Sequence, residues 1–516
     1  MRRLLLSLMA VLLTACMVGP NYRRPSVSTP QSFRFEEEYA RNTANTDWWK
    51  QFDDPVLDSL IAEALANNKT LGVATANIEQ AAGVLMQTRA PLFPQVSYSG
   101  SATRERLSER SAIPLQAGTP NPQSSFQLLA GANWEIDLWG RIRRLTESAR
   151  AQLFATGEAR QGVILSLVGS VAGSYIQLRT LDSQLEIARQ SLHIYGETVK
   201  QFELKFKHGQ ISRMTLEQAK SQYETAAAQI PPIKSQIVQT ENGLCILLGR
   251  NPGPIRRGKT LSQLAFPAVP SGLPSQLLAR RPDIMQAEQN LVAANAQIGA
   301  AQALYFPTIS LTGAFGTASS DLSKLFTGPA RMWSYAGSFT GPIFTAGAIA
   351  GQVMQAKGAR NAALCSYENT IQNAFKDVEN SLSTHAELLA QLQAQKRLVD
   401  ALSEYERLAV MLYNGGYTQY LTVLYAEAQL FPAQLGYAQL QGSALSSLVA
   451  IYQAMGGGWV CRANELTRAA RAAHSSSSAE VRRVAADSLP SPELPNWLRR
   501  PAARPEADTT ALVGNR

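Results

Sequence analysis

The sequence predicts an α+β membrane protein in which a unit of two strands and a long helical hairpin occurs twice. Residues 94–249 recur in altered form at 307–456. The strand motif at Pro94 returns at Pro307, an offset of 213, whereas three later glycines return at an offset of 207. The first copy therefore has six additional residues (213 − 207) between its strands. Such a repeat determines architecture more strongly than any local motif. The glycine pairs are Gly140 and Gly347, Gly209 and Gly416, and Gly249 and Gly456.

The first 15 residues have the organisation of a signal peptide. Arg2 and Arg3 precede the apolar region 4–13, which cannot span a bilayer as a helix because a span needs about 20 residues. The region ends in Leu-Thr-Ala-Cys, which resembles a bacterial lipobox, so we predict lipid attachment at Cys16. The alternative is an ordinary signal peptide with a chance cysteine. No later stretch has 18 consecutive apolar residues, and we expect no transmembrane helix.

The remaining chain divides into four segments. Residues 16–53 are polar and contain several prolines, which predicts a lipidated, extended N-terminal arm. The first repeat is expected over 54–265 and the second over 266–460. The first repeat opens with two helices, which end near Asn67 and before Pro91. Residues 461–516 are rich in Ala, Arg, Ser and Pro without periodicity, which predicts a disordered tail.

Alternating residues predict four membrane strands per chain. In 125–138 one face is apolar and the other is mostly small or polar, and 308–316 alternates in the same way. Trp333, Tyr335 and Phe339 continue the pattern in a fourth segment. Such alternation is characteristic of a transmembrane barrel, and a soluble sheet with one wet face is the alternative. Because four strands cannot close a barrel, several chains must pool them, and three chains would make a 12-stranded barrel.

A long helix follows each strand pair. Apolar residues recur every three or four positions over 140–207 and over 347–412, which predicts two helices of about 100 Å each. Their other faces are rich in Gln, Ser, Thr and Ala, as expected of a wetted surface such as a lumen. Glycine-containing turns end both helices. Return helices are expected over about 213–248 and 420–455, bent at Pro231-Pro232 and at Pro432.

No catalytic group emerges from the sequence. The four histidines stand in unrelated contexts, and no phosphate loop, nucleophile elbow or zinc motif is present. We predict no enzyme activity, no metal and no cofactor. The net charge of +9 forms no basic stripe with interleaved aromatics, so nucleic-acid binding is not expected. Three cysteines remain after Cys16, and a disulfide between Cys245 and Cys461 is one alternative for them.

Four short motifs in order resemble the outer-membrane factor family, the TolC- and OprM-like exit ducts of tripartite efflux systems. They lie at residues 13–22, 48–55, 134–141 and 280–284, and the resemblance covers residues 13–460. It is closest to the lipoprotein, OprM-like and NodT-like branch. The resemblance implies a homotrimer with a 12-stranded barrel in the outer membrane, continued by a periplasmic α-helical barrel. It implies two partners, a periplasmic adaptor (membrane fusion) protein and an inner-membrane efflux pump.

The resemblance also implies functional positions at the end of the helices. The adaptor would contact the two turns at the periplasmic tip. Family members carry a gate motif Leu-Thr-x-Leu-Asp-Ala-x-Arg, which aligns with residues 421–428 of this chain. Tyr425 replaces the aspartate and Ala428 the arginine, and Glu427 lies about 200° around the helix from Tyr425. The gate candidates are therefore Leu421, Tyr425 and Glu427. The tip candidates are Lys207, His208, Gly209, Asn414, Gly415 and Gly416.

The sequence thus indicates a passive outer-membrane duct that exports small molecules such as drugs and toxic compounds. A duct for a secreted polypeptide and a non-conducting periplasmic lipoprotein scaffold are the alternatives.

Overall fold

The computed structural model describes residues 17–30, 32–34, 47–108, 120–267, 269 and 274–456. The predicted signal peptide, Cys16, the whole segment 35–46, Cys461 and the rest of the predicted tail lie outside the described residues. The described elements are α1 (Pro55–Asn67), α2 (Lys69–Arg89), β1 (Gln95–Glu105), β2 (Gln123–Ile136), α3 (Arg141–Lys207), α4 (Arg213–Leu247), α5 (Pro274–Arg280), α6 (Pro282–Ala303), β3 (Thr308–Ser319), β4 (Arg331–Thr340), α7 (Ala348–Asn414) and α8 (Tyr420–Ala454).

The two halves of the chain have matching elements. Helices α3 and α7 each have 67 residues, and α4 and α8 each have 35. The predicted long helices are therefore confirmed, with boundaries within two residues of those expected. The prolines inside α4 and α8 do not interrupt either helix, and the bends expected at them stay predictions. Between the strands, 106–122 has 17 residues and 320–330 has 11, and the difference of six (17 − 11) equals the six additional residues predicted for the first copy.

The four strands form one antiparallel sheet in the order β1-β2-β3-β4. The central pairing of β2 with β3, from Phe126 opposite Ser319 to Ile136 opposite Ile309, joins the two halves. None of the strand residues is buried, and every residue of β1 and β4 is exposed. This arrangement differs from a soluble sheet that covers one face with its own core. In the described chain, both faces and both edges of the sheet are open.

The core lies among the helices. Helix α3 packs against α2, α4, α6 and α8, and α7 packs against α6 and α8. The largest cluster of buried apolar side chains joins the turn around Trp48 to α1, α3, α4 and α8. One described helix, α3, contains an 18-residue window that is apolar enough to cross a membrane, and half of that window is buried in the protein. Because a core helix passes the same test, this window does not by itself indicate a membrane span.

Candidate functional site

One face of the sheet is apolar and exposed. The strand register places Tyr98 beside Ala130, Ala130 beside Phe315, and Phe315 beside Trp333, so these side chains share a face. Tyr98 is 88% exposed and Tyr335, on the same face, is 80% exposed. The rings of Trp333 and Tyr335 stack at 5.6 Å. A continuous apolar surface of this kind marks a membrane or protein contact.

The opposite face of the sheet, called the polar face below, carries mostly small or polar residues. Residues that alternate with the apolar ones include Ser97 beside Gly131, and Thr312 beside Ala336. Ser334 is also on this face and is exposed. The sheet therefore separates an apolar side from a side of mostly small and polar residues, a division also found in the wall of a membrane barrel.

The 134–141 motif forms the junction between the sheet and α3. Gly140 has a φ of +79° and provides no side-chain cap for the helix. Asp137 supplies the acceptors instead, because its carboxylate accepts hydrogen bonds from the backbone N–H groups of Ile142 and Arg143 at 3.0 and 2.9 Å. Arg141 donates three hydrogen bonds to the Glu135 carboxylate, at 3.3, 2.9 and 2.8 Å. The motif thus fixes the direction in which α3 leaves the strands.

The N-terminal motif docks on this junction through Arg144. The Arg144 side chain is 1% exposed and donates hydrogen bonds to the carbonyls of Val18 and Gly19, at 3.2 and 3.1 Å, and to Asn21 Oδ1 at 2.8 Å. Gly19 has a φ of +100°, and a Cβ there would collide with the backbone of Gly299. The start of the described chain is therefore held at the level where the strands end.

The remaining two motifs also hold elements together. Asp54 caps α1 through Val56 N–H at 2.9 Å and accepts a hydrogen bond from the Tyr175 hydroxyl at 2.7 Å. Arg281 is buried and donates to the Ala454 carbonyl at 2.9 Å, so it caps the end of α8. Asp377 and Asp283 pair with the same guanidinium. All four family motifs therefore serve as structural joints, a role that their sequences alone do not reveal.

The two hairpin turns have the same backbone geometry. Gly209 and Gly416 have φ values of +67° and +79°. The N–H of Gln210 donates to the Lys205 carbonyl at 2.8 Å, and the N–H of Tyr417 donates to the Leu412 carbonyl at 2.9 Å. These bonds are the Schellman closure of a helix end. Lys207 and Asn414 end their helices, and His208 and Gly415 are the residues that follow them.

The two turns lie beside one another. A cluster of buried residues from α3, α4, α7 and α8 includes Phe202, Leu216 and Tyr420. The rings of Phe202 and Tyr420 meet edge to face at 4.5 Å, and the Lys205 ammonium lies 5.5 Å from the rings of both Phe202 and Tyr413. The six tip candidates are thus brought to one end of the helices.

The three gate candidates separate into two groups. Leu421 is 39% exposed and Tyr425 is 59% exposed, so both present apolar surface at the tip. Glu427 is 5% exposed and faces inward. Burial, and secondarily the nearby Glu406, raise the pKa of the Glu427 carboxyl to about 7, an effect that the Tyr420 hydroxyl partly offsets. Glu427 therefore does not present a charge beside Tyr425.

Among the described histidines and cysteines, some are buried and others are exposed. His385 is buried, and its Nδ1 lies 2.7 Å from Ser447 Oγ, while burial lowers the pKa of its imidazole. His193 is exposed. Cys245 is a buried free thiol that donates to the Gly253 carbonyl, and Cys365 is an exposed free thiol. Within the described residues, no group of three or more potential metal ligands is assembled.

The sequence and fold match known proteins along most of the chain. The family model described as outer membrane efflux protein matches residues 60–250 and 273–457. The toluene efflux pump outer membrane protein TtgF of Pseudomonas putida is 35% identical over 463 residues, which are 87% of this chain and 96% of that protein. The cation efflux system protein CusC of Escherichia coli strain K12 is 34% identical over 455 residues, 87% of this chain and 98% of CusC.

Solved structures share the fold. The Campylobacter jejuni CmeC outer membrane channel has a TM-score of 0.81 and 25% identity over 86% of this chain and 95% of that one. A crystal structure of CusC has a TM-score of 0.77 and 33% identity, over 86% of this chain and 100% of that one. The class that the fold and these matches define is the outer-membrane channel of efflux systems. The chain belongs to the outer membrane efflux protein family, as its four motifs predict, and it is an outer-membrane exit duct.

Proposed function

We propose that three copies of the chain form a closed 12-stranded barrel in the outer membrane, continued by a periplasmic tunnel of helices. The observation that carries this proposal is the four-stranded sheet with an exposed apolar face and two unpaired edges. Lipid does not satisfy open strand edges, so a sheet in a bilayer must close with other copies. Ile343 and Phe344, which are fully or almost fully exposed beside β4, supply apolar surface for a neighbouring copy.

The tunnel follows from the internal duplication. The matched helix lengths, the three pairs of left-handed glycines at one offset, and the two successive matches to the family model all support two structural repeats per chain. Each repeat contributes two strands and one helical hairpin. Six such units would then form the wall of the tube, two from each chain.

Lipid attachment at Cys16 fits the position of the arm. Met17 follows Cys16 directly, and a Cβ on Gly140 would collide with the Met17 side chain, so the arm begins at the strand–helix junction. Acyl chains on Cys16 would start at the boundary of the barrel, where they enter the bilayer without a long spacer. Each buried methylene contributes about 0.8 kcal/mol to such an anchor.

The duct would work passively with two partners. An inner-membrane pump supplies the energy, a periplasmic adaptor contacts the turns at 207–209 and 414–416, and small molecules pass through the opened tip. The names of the relatives, which include toluene, solvent and cation efflux components, support small-molecule export over polypeptide secretion. The protein itself is proposed to catalyse no reaction and to need no cofactor.

Channel recordings test the proposal. The purified protein, reconstituted in planar lipid bilayers, should give discrete single-channel currents, and unheated samples should migrate on gels as a trimer. A stable monomer without conductance would contradict the proposal and favour the scaffold alternative. Deletion of the gene should increase accumulation of a fluorescent toxic dye. A selective loss of one secreted polypeptide with unchanged dye accumulation would favour polypeptide secretion.

Affinity capture of the native complex identifies the partners. A proton-driven pump and its adaptor should be recovered with the wild-type protein. Recovery of an ATP-driven exporter alone would contradict small-molecule export by a proton-driven system.

A further inference from the structure

A cavity of about 400 Å³ lies between α3, α7 and α8. Its volume is within the range of small-molecule sites in proteins. The lining combines two carboxylates with aromatic and aliphatic side chains. It includes Tyr195 of α3, Glu406 of α7, and Glu427, Phe431 and Tyr437 of α8. Ile194, which is 48% exposed, also lines it, so the cavity reaches the surface.

The Glu427 carboxylate lacks a full set of partners in this cavity. The residue is only 5% exposed, and its Oε2 atom has no hydrogen-bond partner among the described residues. The titratable groups around it are Tyr195, Glu406, Tyr420 and Tyr437, none of which is a cation. Two basic side chains of the adjoining helices are paired elsewhere, Lys220 with Glu203 and Arg407 with Glu404. A buried carboxylate without a counterion is costly, so the cavity favours a positive guest.

We propose that this cavity binds a small organic cation, with its charge against Glu427 and its apolar part against Phe431 and Tyr437. Aromatic rings and carboxylates together stabilise quaternary ammonium groups through cation–π and Coulomb attraction. Two carboxylates alone offer too few ligands for a typical metal site. Cation binding at this site is a separate property from export. It can be measured whether or not the chain conducts.

The site is specific to the second repeat. At the offset of 207 residues, Glu427 corresponds to Lys220 and Glu406 corresponds to Val199. Lys220 forms an ion pair with Glu203 at 3.3 Å, so the first repeat has a basic residue where the second has its buried acid. One cation per chain is therefore expected, rather than two.

Calorimetry on the detergent-purified full chain tests the site with benzyltrimethylammonium, whose charge does not titrate. We expect saturable binding at pH 8 with one site per chain, and at least tenfold weaker binding of the neutral benzyl alcohol. Because a raised carboxyl pKa near 7 leaves about 3% of Glu427 ionised at pH 5.5, affinity should fall about 30-fold there.

Three variants separate the site from general effects. Glu427→Gln should weaken binding at least tenfold and remove most of its pH dependence, leaving the part that Glu406 contributes, because burial also raises the pKa of that carboxyl. Gln434→Trp should block the cavity without changing a charge. Glu224→Gln, which removes an exposed carboxylate on α4, should bind as the wild type does. No saturable binding to folded wild-type trimer, or equal binding by Glu427→Gln, would overturn the proposal. Equal affinity for benzyl alcohol would also overturn it, because the cavity would then be an apolar site.

Discussion

Arg144 shows how much depends on one buried side chain. It holds the Val18 and Gly19 carbonyls and Asn21, all more than 120 residues away in the chain, while also pairing with Glu147. A guanidinium with several directed donors suits this task better than an ammonium group. Removing it leaves part-buried carbonyls without these donors, which costs at most about 1–3 kcal/mol for each group.

We therefore predict that Arg144→Ala releases the N-terminal arm. Trypsin should cleave the native protein after Arg23 about tenfold faster than in the wild type, because proteolysis follows the population of the open arm. Arg150→Ala, which removes an exposed arginine of the same helix, is the matched control and should leave the rate unchanged. Equal cleavage rates for both variants would show that Arg144 does not hold the arm.

Glu427 predicts a pH dependence of stability. Its carboxyl pKa rises from 4.5 in the unfolded chain to about 7 in the folded chain, so the folded state retains a proton that the unfolded state loses. Stability should therefore fall as pH rises from about 4.5 to about 7, by up to roughly 3 kcal/mol per chain. Melting of Glu427→Gln should match the wild type near pH 5 and occur at higher temperature near pH 8. Parallel pH profiles for the two proteins would contradict this assignment.

At the scale of elements, the hairpin turns depend on glycine for their backbone conformation. A Cβ at Gly416 would meet no atom within 4 Å, so the cost of a side chain there is backbone strain alone. We predict that Gly416→Ala destabilises the turn by about 1–2 kcal/mol, and that Gly416→Asn costs less because asparagine tolerates this conformation.

Hydrogen–deuterium exchange of the turn peptide measures this effect. Exchange at Tyr417, whose N–H closes the turn, should accelerate in Gly416→Ala. Gly358→Ala is the matched control, since a Cβ at Gly358, inside α7, would also meet no atom within 4 Å and the residue has an ordinary helical φ. That control should be neutral or stabilising. Unchanged exchange in Gly416→Ala would show that alanine adopts the turn without strain.

The two faces of β4 give a second prediction at the scale of elements. Tyr335 lies on the apolar face and its neighbour Ser334 on the polar face, although both are exposed. Tyr335→Lys should strongly reduce the trimer recovered from outer membranes, because a lysine facing lipid near the bilayer centre costs about 2–4 kcal/mol. Ser334→Lys adds the same charge one residue away and should assemble normally. Equal recovery of the two variants would exclude lipid contact by the apolar face.

Local patterns predict these elements well and their contacts poorly. The period of the apolar residues predicts α3 and α7 to within two residues, and alternation predicts the apolar face of β2. The contact of Arg144 with Val18 has no local signature, because tertiary packing alone joins residues 126 positions apart. The position of Glu427 on its helix predicts that it points away from Tyr425. Its burial depends on side chains of α3 and α7, so the sequence of α8 alone does not predict it.

At the scale of the whole molecule, the tunnel of the proposed trimer would be narrowest where Leu421 and Tyr425 present apolar side chains. Replacing both with serine should weaken the closed state and increase the time-averaged current in bilayers several-fold. The first-repeat counterparts, Met214 and Gln218, provide the control, since Met214→Ser with Gln218→Asn leaves the second-repeat surface intact. A larger effect from the control pair would place the constriction on the first repeat.

The central pairing of β2 with β3 has a consequence for the symmetry of that trimer. Because each chain contributes its two repeats side by side, the repeats would alternate around the ring. Features common to both repeats, such as the left-handed turns, would then recur every 60°, whereas features of one repeat would recur every 120°. Substitutions in one repeat would thus change three of the six units around the entrance, such as the three that hold the acidic cavities. The three units from the other repeat would keep their structure and preserve a nearly sixfold wall.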